Sequence, residues 1–208
     1  MAKRLEIHDR VLQAPDTDAL MEAYAEWADH YDSDLVEGEG YVGHLQVAEL
    51  LAPKLSPEGA RILDAGCGTG LVGVELARRC DATIIGADYS SAMLERAKAT
   101  GVYDQLRKVD LNDPLALPDD DFDAVVCAGT LTVGHVGPEA LTGFVRVVKP
   151  GGFVCFTVRE EAWQQDDYQA VIDRLDASRA WEALEVRTAD YIREEGSSCH
   201  LCLYRVCG

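Results

Sequence analysis

Basic residues are scarce in this chain, with 19 Lys and Arg set against 37 Asp and Glu for a formal net charge of −18. The few cations form no cluster, and a phosphate backbone has to be met by clustered positive charge, so no nucleic acid partner is expected. No apolar run is long enough to span a bilayer. The opening residues Met1-Ala2-Lys3-Arg4-Leu5-Glu6 carry charge where a secretory leader needs an apolar core. A cytoplasmic protein with no membrane partner is expected. Neither a Gly/Ser/Pro linker nor a fixed-period repeat divides the chain, and 208 residues, 48% of them hydrophobic, are enough for one well-cored domain and too few for two. Nothing of this kind speaks to oligomeric state.

Metal-binding and disulfide patterns are missing too. Seven cysteines cannot all pair, and Cys67, Cys127 and Cys155 fall where a loop and two core strands are expected, so they read as small apolar side chains. Cys199-His200-Leu201-Cys202 has the spacing of a zinc ligand pair but no second pair nearby, and residues three apart on a strand face opposite sides. Asp119-Asp120-Asp121 reads as a solvated turn. No metal is expected.

What the sequence does contain is organised around Arg61-Ile62-Leu63-Asp64-Ala65-Gly66-Cys67-Gly68-Thr69-Gly70. A short buried strand meets alternate glycines, and glycine supplies the bare backbone and positive φ that a tight ligand-binding turn requires. Leu71 to Ala77 reads as a helix whose free N–H groups face the same crevice. Ile84-Ile85-Gly86-Ala87-Asp88 is a second strand ending in an acid. Strand, glycine turn, helix, strand and acid make the nucleotide half-site of a doubly wound sheet, with Asp88 placed to accept both hydroxyls of a ribose. Two cofactor classes fit. Gly68-Thr69-Gly70-Leu71-Val72-Gly73 satisfies the dinucleotide pattern of a nicotinamide-linked oxidoreductase, although the chain has no Tyr-x-x-x-Lys and no room for a separate substrate domain.

The other class starts at Asp64. Asp64-Ala65-Gly66-Cys67-Gly68-Thr69-Gly70 resembles the first motif of class I S-adenosylmethionine-dependent methyltransferases. Asp88-Tyr89-Ser90-Ser91-Ala92-Met93-Leu94 resembles their ribose acid and the helix start after it, Val109-Asp110-Leu111 their adenine-edge motif, Phe122 to Val126 their fourth strand, and Val148-Lys149-Pro150-Gly151-Gly152 the turn before the fifth. Tyr24 to Asp32 resembles the lid of small-molecule members. Within the class, Tyr41, Gly70-Leu71-Val72 and Gly101-Val102-Tyr103 resemble the methyltransferase-like subgroup of the Williams-Beuren region.

The resemblance implies an α/β fold, a Rossmann-like doubly wound seven-stranded sheet, mostly parallel with one antiparallel C-terminal strand. It further implies an arm and helical lid over 1–55 and a core over 56–208. S-adenosyl-L-methionine is the implied cofactor and S-adenosyl-L-homocysteine its product. The implied contacts are Tyr24, Trp27 and Tyr31 from the lid, then Asp64, Gly66, Cys67, Gly68 and Gly70 from the first motif. Asp88, Tyr89 and Met93 follow, then Asp110, Leu111 and Ala128. The acceptor is expected to be a small molecule, because Ala128-Gly129-Thr130-Leu131 stands where nucleobase and amide methylases carry D/N-P-P-Y. His135, in the loop beyond, is the candidate catalytic base. A non-catalytic binder of the same cofactor remains an alternative.

Locally, Thr17 or Asp18 is expected to cap a helix bearing Leu20, Met21, Tyr24, Trp27 and Tyr31 on one stripe. Gly38 and Gly40 suggest a hinge, with Tyr41 reaching the pocket. Ser90 or Ser91 caps the helix that ends at Gly101, and Pro138 begins another. The last two strands form a hairpin.

Overall fold

Continuous apolar runs bounded by glycine or acid become the central strands, since a strand covered on both faces must be apolar at every position. A computed structural model describes residues 7, 10, 11, 14, 16–165 and 167–208. The first 16 residues of the arm and lid expected over 1–55 lie largely outside them. Strands β1 (Ala60–Ala65), β2 (Ala82–Asp88), β3 (Gln105–Lys108), β4 (Phe122–Leu131), β5 (Val148–Arg159), β6 (Trp181–Ile192) and β7 (Ser197–Val206) form one seven-stranded sheet of order β3-β2-β1-β4-β5-β7-β6. Pairing is parallel from β3 through β5. β7 runs antiparallel to both of its neighbours and is the single reversed strand.

Helices cover both faces. α1 (Thr17–Trp27), α2 (Gly43–Leu51), α3 (Leu71–Ala77) and α4 (Ser91–Thr100) come before the fourth strand. α5 (Ala140–Val147), α6 (Glu160–Gln165) and α7 (Tyr168–Ala177) come after it. Neighbouring residues of β1 enter different cores: Ile62 packs with Val47, Leu51 and Leu76, whereas Leu63 joins Phe144, Phe156 and Tyr168. All of these are almost fully buried, and each contributes roughly 1.5–3 kcal/mol by leaving water. Cys199 and Cys202 divide between the same two cores, so this strand does not bring them together as a ligand pair. His200 stacks on Trp163 with ring centroids 4.0 Å apart and meets Glu160 at 3.0 Å.

Several boundaries differ from the sequence reading. Asp16, not Thr17 or Asp18, caps α1, its carboxylate accepting from the Ala19 N–H at 2.9 Å. α1 stops at Trp27, and a π-helical turn spans Ser33–Gly38, so Tyr31 lies beyond the helix rather than on its stripe. Gly40 has φ +72°, but the segment is no loose hinge. The Glu39 and Gly40 carbonyls accept from Glu194 and Arg193, and the Val42 N–H donates to Tyr191, which stitches the segment to the end of β6. α5 starts at Ala140 behind Glu139, two residues after Pro138. β5 begins at Val148, with Pro150-Gly151 forming an irregularity inside it. Gly152 is required there because a Cβ would lie 2.6 Å from the Asp123 carbonyl.

The sheet order reverses between β1 and β4. Ligands of open α/β sheets bind where strands turn away from one another, beyond their C-terminal ends. The glycine loop leaves β1 at this point.

Candidate active site

Three backbone bonds shape the glycine loop. The Gly66 and Cys67 N–H groups both donate to the Ala87 carbonyl, at 2.7 and 3.0 Å, and the Gly70 N–H donates to Cys67 at 2.9 Å. Gly66, Gly68 and Gly70 all have positive φ, at +75°, +53° and +101°. Their surroundings differ. A Cβ on Gly66 would sit 2.0 Å from the Thr130 hydroxyl, whereas one on Gly68 would meet nothing within 4 Å. Gly66 is therefore needed for packing, while Gly68 leaves backbone bare toward open space.

Gly73, the third glycine of the dinucleotide pattern, has a different use. The Tyr103 ring passes 2.4 Å from where its Cβ would be, and the Tyr103 hydroxyl donates to Asp64 Oδ2 at 2.6 Å. Asp64 is fully buried, and its Oδ1 has no partner among the described residues. Burial pushes the Asp64 carboxyl up to about 7, against the opposing hydrogen bond from Tyr103.

Asp88 ends β2 with both carboxylate oxygens oriented. Oδ2 accepts from the Gly68 N–H at 2.9 Å and Oδ1 from Ser90 at 2.8 Å. A carboxylate oxygen has more than one acceptor site, so each can still receive a hydroxyl. Burial raises the acid's pKa and these backbone bonds lower it. Ser90 also caps α4, accepting from the Met93 N–H at 3.4 Å, and Gly101 closes that helix with φ +72°. Asp110 Oδ1 turns back to the Asn112 N–H at 2.9 Å.

These groups line one crevice of about 1040 Å³, open mouth included. Its walls take in Tyr24, Tyr31, Gly66, Cys67 and Gly68, then Asp88, Tyr89, Met93, Asp110 and Leu111, with Ala128 and His135 across from them. Trp27, Asp64 and Gly70 are not part of this wall. Trp27 is 3% exposed and donates to Asp34 at 3.0 Å. Asp64 sits behind the loop, and Gly70 backs onto Tyr103 and Thr100. Cys67 does reach the crevice, but burial pushes its thiol well above the ordinary range, so it stays protonated.

Sequence reading missed Thr69, Asn112, Thr130 and His44, all of them on the wall. Thr69 donates to Asp32 at 2.5 Å and ties the glycine loop to the segment after α1. The repeated Asp after Tyr31 was a signal for this contact. Asn112 donates to the His135 carbonyl at 2.9 Å and accepts from Gly137 at 3.1 Å, fixing the His135 loop. Nδ1 of His135 lies 3.1 Å from the Val133 carbonyl, which can only accept, so the proton belongs on Nδ1. Nε2 then accepts from the Tyr24 hydroxyl at 3.1 Å. Burial lowers the His135 pKa and keeps the ring neutral.

The sheet order, the reversed last strand and a crevice over the glycine loop define a methyltransferase of class I. A family model described as a methyltransferase domain matches residues 62–152. Human methyltransferase-like protein 27 is 35% identical over 212 residues, covering 92% of this chain and 81% of that protein. The chain belongs to this family of S-adenosylmethionine-dependent methyltransferases. A ubiquinone biosynthesis O-methyltransferase of Alkalilimnicola ehrlichii is 36% identical over 104 residues, but the match covers only 48% of this chain and 42% of that enzyme. Among solved structures, the cyclase SpnF superposes with a TM-score of 0.71 at 19% identity, covering 93% of this chain and 97% of that one. The magnesium protoporphyrin IX methyltransferase of Synechocystis PCC 6803, solved with S-adenosylmethionine bound, gives 0.60 at 19% identity, covering 79% of this chain and 80% of that one. At such identities the likeness concerns the fold alone.

Proposed function

We propose that the crevice holds S-adenosyl-L-methionine and that the enzyme transfers its methyl group to a small-molecule acceptor. The residues present suit that cofactor. Asp88 offers free acceptor positions on both oxygens for ribose hydroxyls. Met93 supplies an apolar face for the adenine and Asp110 an acceptor for its exocyclic amine. Gly68 leaves room for close approach, and Tyr24 and Tyr31, which line the crevice, would meet the methionine end. When bound, the cofactor supplies a methyl already activated on a sulfonium, which an acceptor takes by in-line displacement.

Little covalent help is then required of the protein. Its residues hold the reactants in line and exclude water, effects worth up to roughly 7–11 kcal/mol in well-aligned systems. A base matters for an acceptor that arrives protonated, and neutral His135 is placed for that role. The seven cysteines are all unpaired, which favours a reducing, cytoplasmic setting. Among the described residues no helix is long and apolar enough to cross a membrane.

The position of Asp88, fixed between the Gly68 N–H and the crevice, carries this reading. It is tested by following labelled methyl from S-adenosylmethionine into a metabolite extract. The wild-type protein is expected to label an acceptor and Asp88→Ala to do so far more slowly. No labelled product from a wild-type protein that binds the cofactor would favour the non-catalytic alternative.

A further inference from the structure

A second chamber of about 450 Å³, open mouth included, adjoins the crevice. Tyr24, Tyr31, Tyr41, Gly129 and His135 line both spaces and form a shared partition. Trp27, Leu35, Tyr191 and Ile192 line the chamber alone, each under 10% exposed. Its wall is therefore largely aromatic. Tyr24 and Tyr31 approach at 6.3 Å, Trp27 and Tyr31 at 4.7 Å, and Tyr41 and Tyr191 at 5.2 Å between ring centroids.

The polar groups on that wall are few and specific. No carboxylate lines the chamber among the described residues. Among the described residues Arg159 is its one charged side chain, already engaged by Glu161 at 3.0 Å and Glu195 at 3.1 Å, with its guanidinium 5.8 Å from the Tyr191 ring centroid. An ammonium entering here would lose its hydration with no anion to meet it, and a carboxylate would have to displace an existing ion pair. His135 Nε2 is an acceptor at the partition, satisfied only by the Tyr24 hydroxyl. Its other nitrogen is held by the Val133 carbonyl and the Thr132 hydroxyl, the latter at 2.9 Å.

Building on the methyl-transfer reading above, we infer that this chamber is the acceptor site and takes a flat, uncharged molecule presenting a phenolic or enolic hydroxyl to His135. Aromatic walls reward a planar π-surface, and a neutral hydroxyl is the protonated nucleophile this site can both admit and activate. The acceptor hydroxyl displaces the Tyr24 hydroxyl from Nε2. Its O–H bond breaks, the proton forms an N–H bond on Nε2, and the electron pair stays on the oxygen, now an anion beside an imidazolium. Thr132 and Val133 act as positioning residues by keeping the accepting nitrogen turned inward. Among the described residues, the titratable and charged groups facing His135 in this space are Tyr24, Tyr31, Tyr41, Tyr191 and Arg159.

Probe binding to the full chain, saturated with S-adenosylhomocysteine, tests the inference. Calorimetry compares phenol and 4-nitrophenol with benzylamine and benzoate, and absorbance follows the phenolate band of bound 4-nitrophenol at a pH where the free probe is mostly neutral. The hydroxyl probes are expected to bind at least about tenfold more tightly than either charged one. The phenolate band should appear in wild type and vanish in His135→Gln while binding persists. Tyr191→Trp, which fills the chamber without touching the crevice, should cost roughly tenfold in probe affinity and leave that for S-adenosylhomocysteine within about twofold. Equal or tighter binding of benzylamine or benzoate overturns the inference. So does a phenolate band unchanged in His135→Gln, or a protein that binds S-adenosylhomocysteine but no hydroxyl probe. A wild-type protein that fails to bind S-adenosylhomocysteine overturns the cofactor reading as well, so the two failures are told apart.

Discussion

The two sides of the Tyr24–His135 partition are built differently. On the crevice side, the loop after β1 and the end of β2 set the geometry with backbone: glycine N–H groups, a carbonyl at Ala87 and one oriented acid, all within 61–88. On the chamber side the wall is assembled from side chains far apart in sequence, drawn from α1, the segment before α2, β5 and the end of β6. A backbone-built site tolerates change only where space is left for a Cβ. A site built from side chains admits substitution at each wall position, so the same scaffold can take different guests.

The contrast is sharpest at the glycines. Gly66→Ala combines a left-handed φ with a Cβ 2.0 Å from Thr130, and should cost about 3 kcal/mol or more in urea denaturation. Gly68→Ala carries a similar φ but meets open space, so its stability loss should be roughly 1–2 kcal/mol while cofactor affinity falls. Equal stability losses for the two would remove the distinction between a packing glycine and a ligand-facing one.

His135 tests the chamber side. His135→Gln is expected to lower kcat/KM about a hundredfold on a hydroxyl acceptor, with affinity for S-adenosylhomocysteine little changed. Because burial depresses the His135 pKa, the wild-type rate should stay flat on descending through the usual histidine range, near 6.5, and drop only below it. A fall centred at or above that value would mean that the ring is not held neutral.

Behind the loop, Asp64 links stability to pH. Its carboxyl is raised from the ordinary range near 4 to about 7 in the fold, so the folded state binds the proton more tightly than the unfolded chain. The contribution is fully present below the unfolded pKa and is lost as pH rises through about 7. Asp64→Asn should therefore flatten the decline in thermal midpoint from pH 4 to 7 relative to wild type. Tyr103→Phe, which strips the side-chain hydrogen bond favouring the ionised acid, should steepen it and cost about 1–3 kcal/mol. Identical pH profiles for the three proteins would contradict a buried, proton-linked Asp64.

The smallest effect belongs to the cover. Arg96 on α4 reaches Asp29 after α1 at 3.3 Å, but both side chains are exposed. Arg96→Ala should cost under about 1 kcal/mol and change S-adenosylhomocysteine dissociation, measured by stopped flow, only slightly. A large loss would mean that this pair, rather than the stitching of residues 39–42 to β6, holds the cover in place.

Legibility in the sequence follows the same division. The strands, the loop glycines, Asp88, the Ser90 cap and the Gly101 stop were readable because each is a local requirement with few residue types that satisfy it. The cap of α1 was misplaced because Asp16, Thr17 and Asp18 are all competent caps, and only the entry angle of the chain selects among them. Tyr103 threading past Gly73 to Asp64 has no local signature, since its partners lie 30 and 39 residues away. Tyr191 joins the chamber wall beside Arg159, the last residue of β5, only because the terminal hairpin folds back beside that strand. Trp27 sat correctly on the buried face of α1, but helical spacing does not say which side of the partition that face meets.

The central claim is that the carboxylate of Asp88, held by the Gly68 and Ser90 N–H groups, grips the ribose of an adenosine cofactor. Calorimetric titration of S-adenosylhomocysteine into wild type and Asp88→Ala, with NADH as the control ligand, tests it most directly. The account predicts saturable binding to wild type, affinity weaker by roughly tenfold or more in the variant, and no binding of NADH. Equal affinities for the two proteins, or tight binding of NADH, would contradict it.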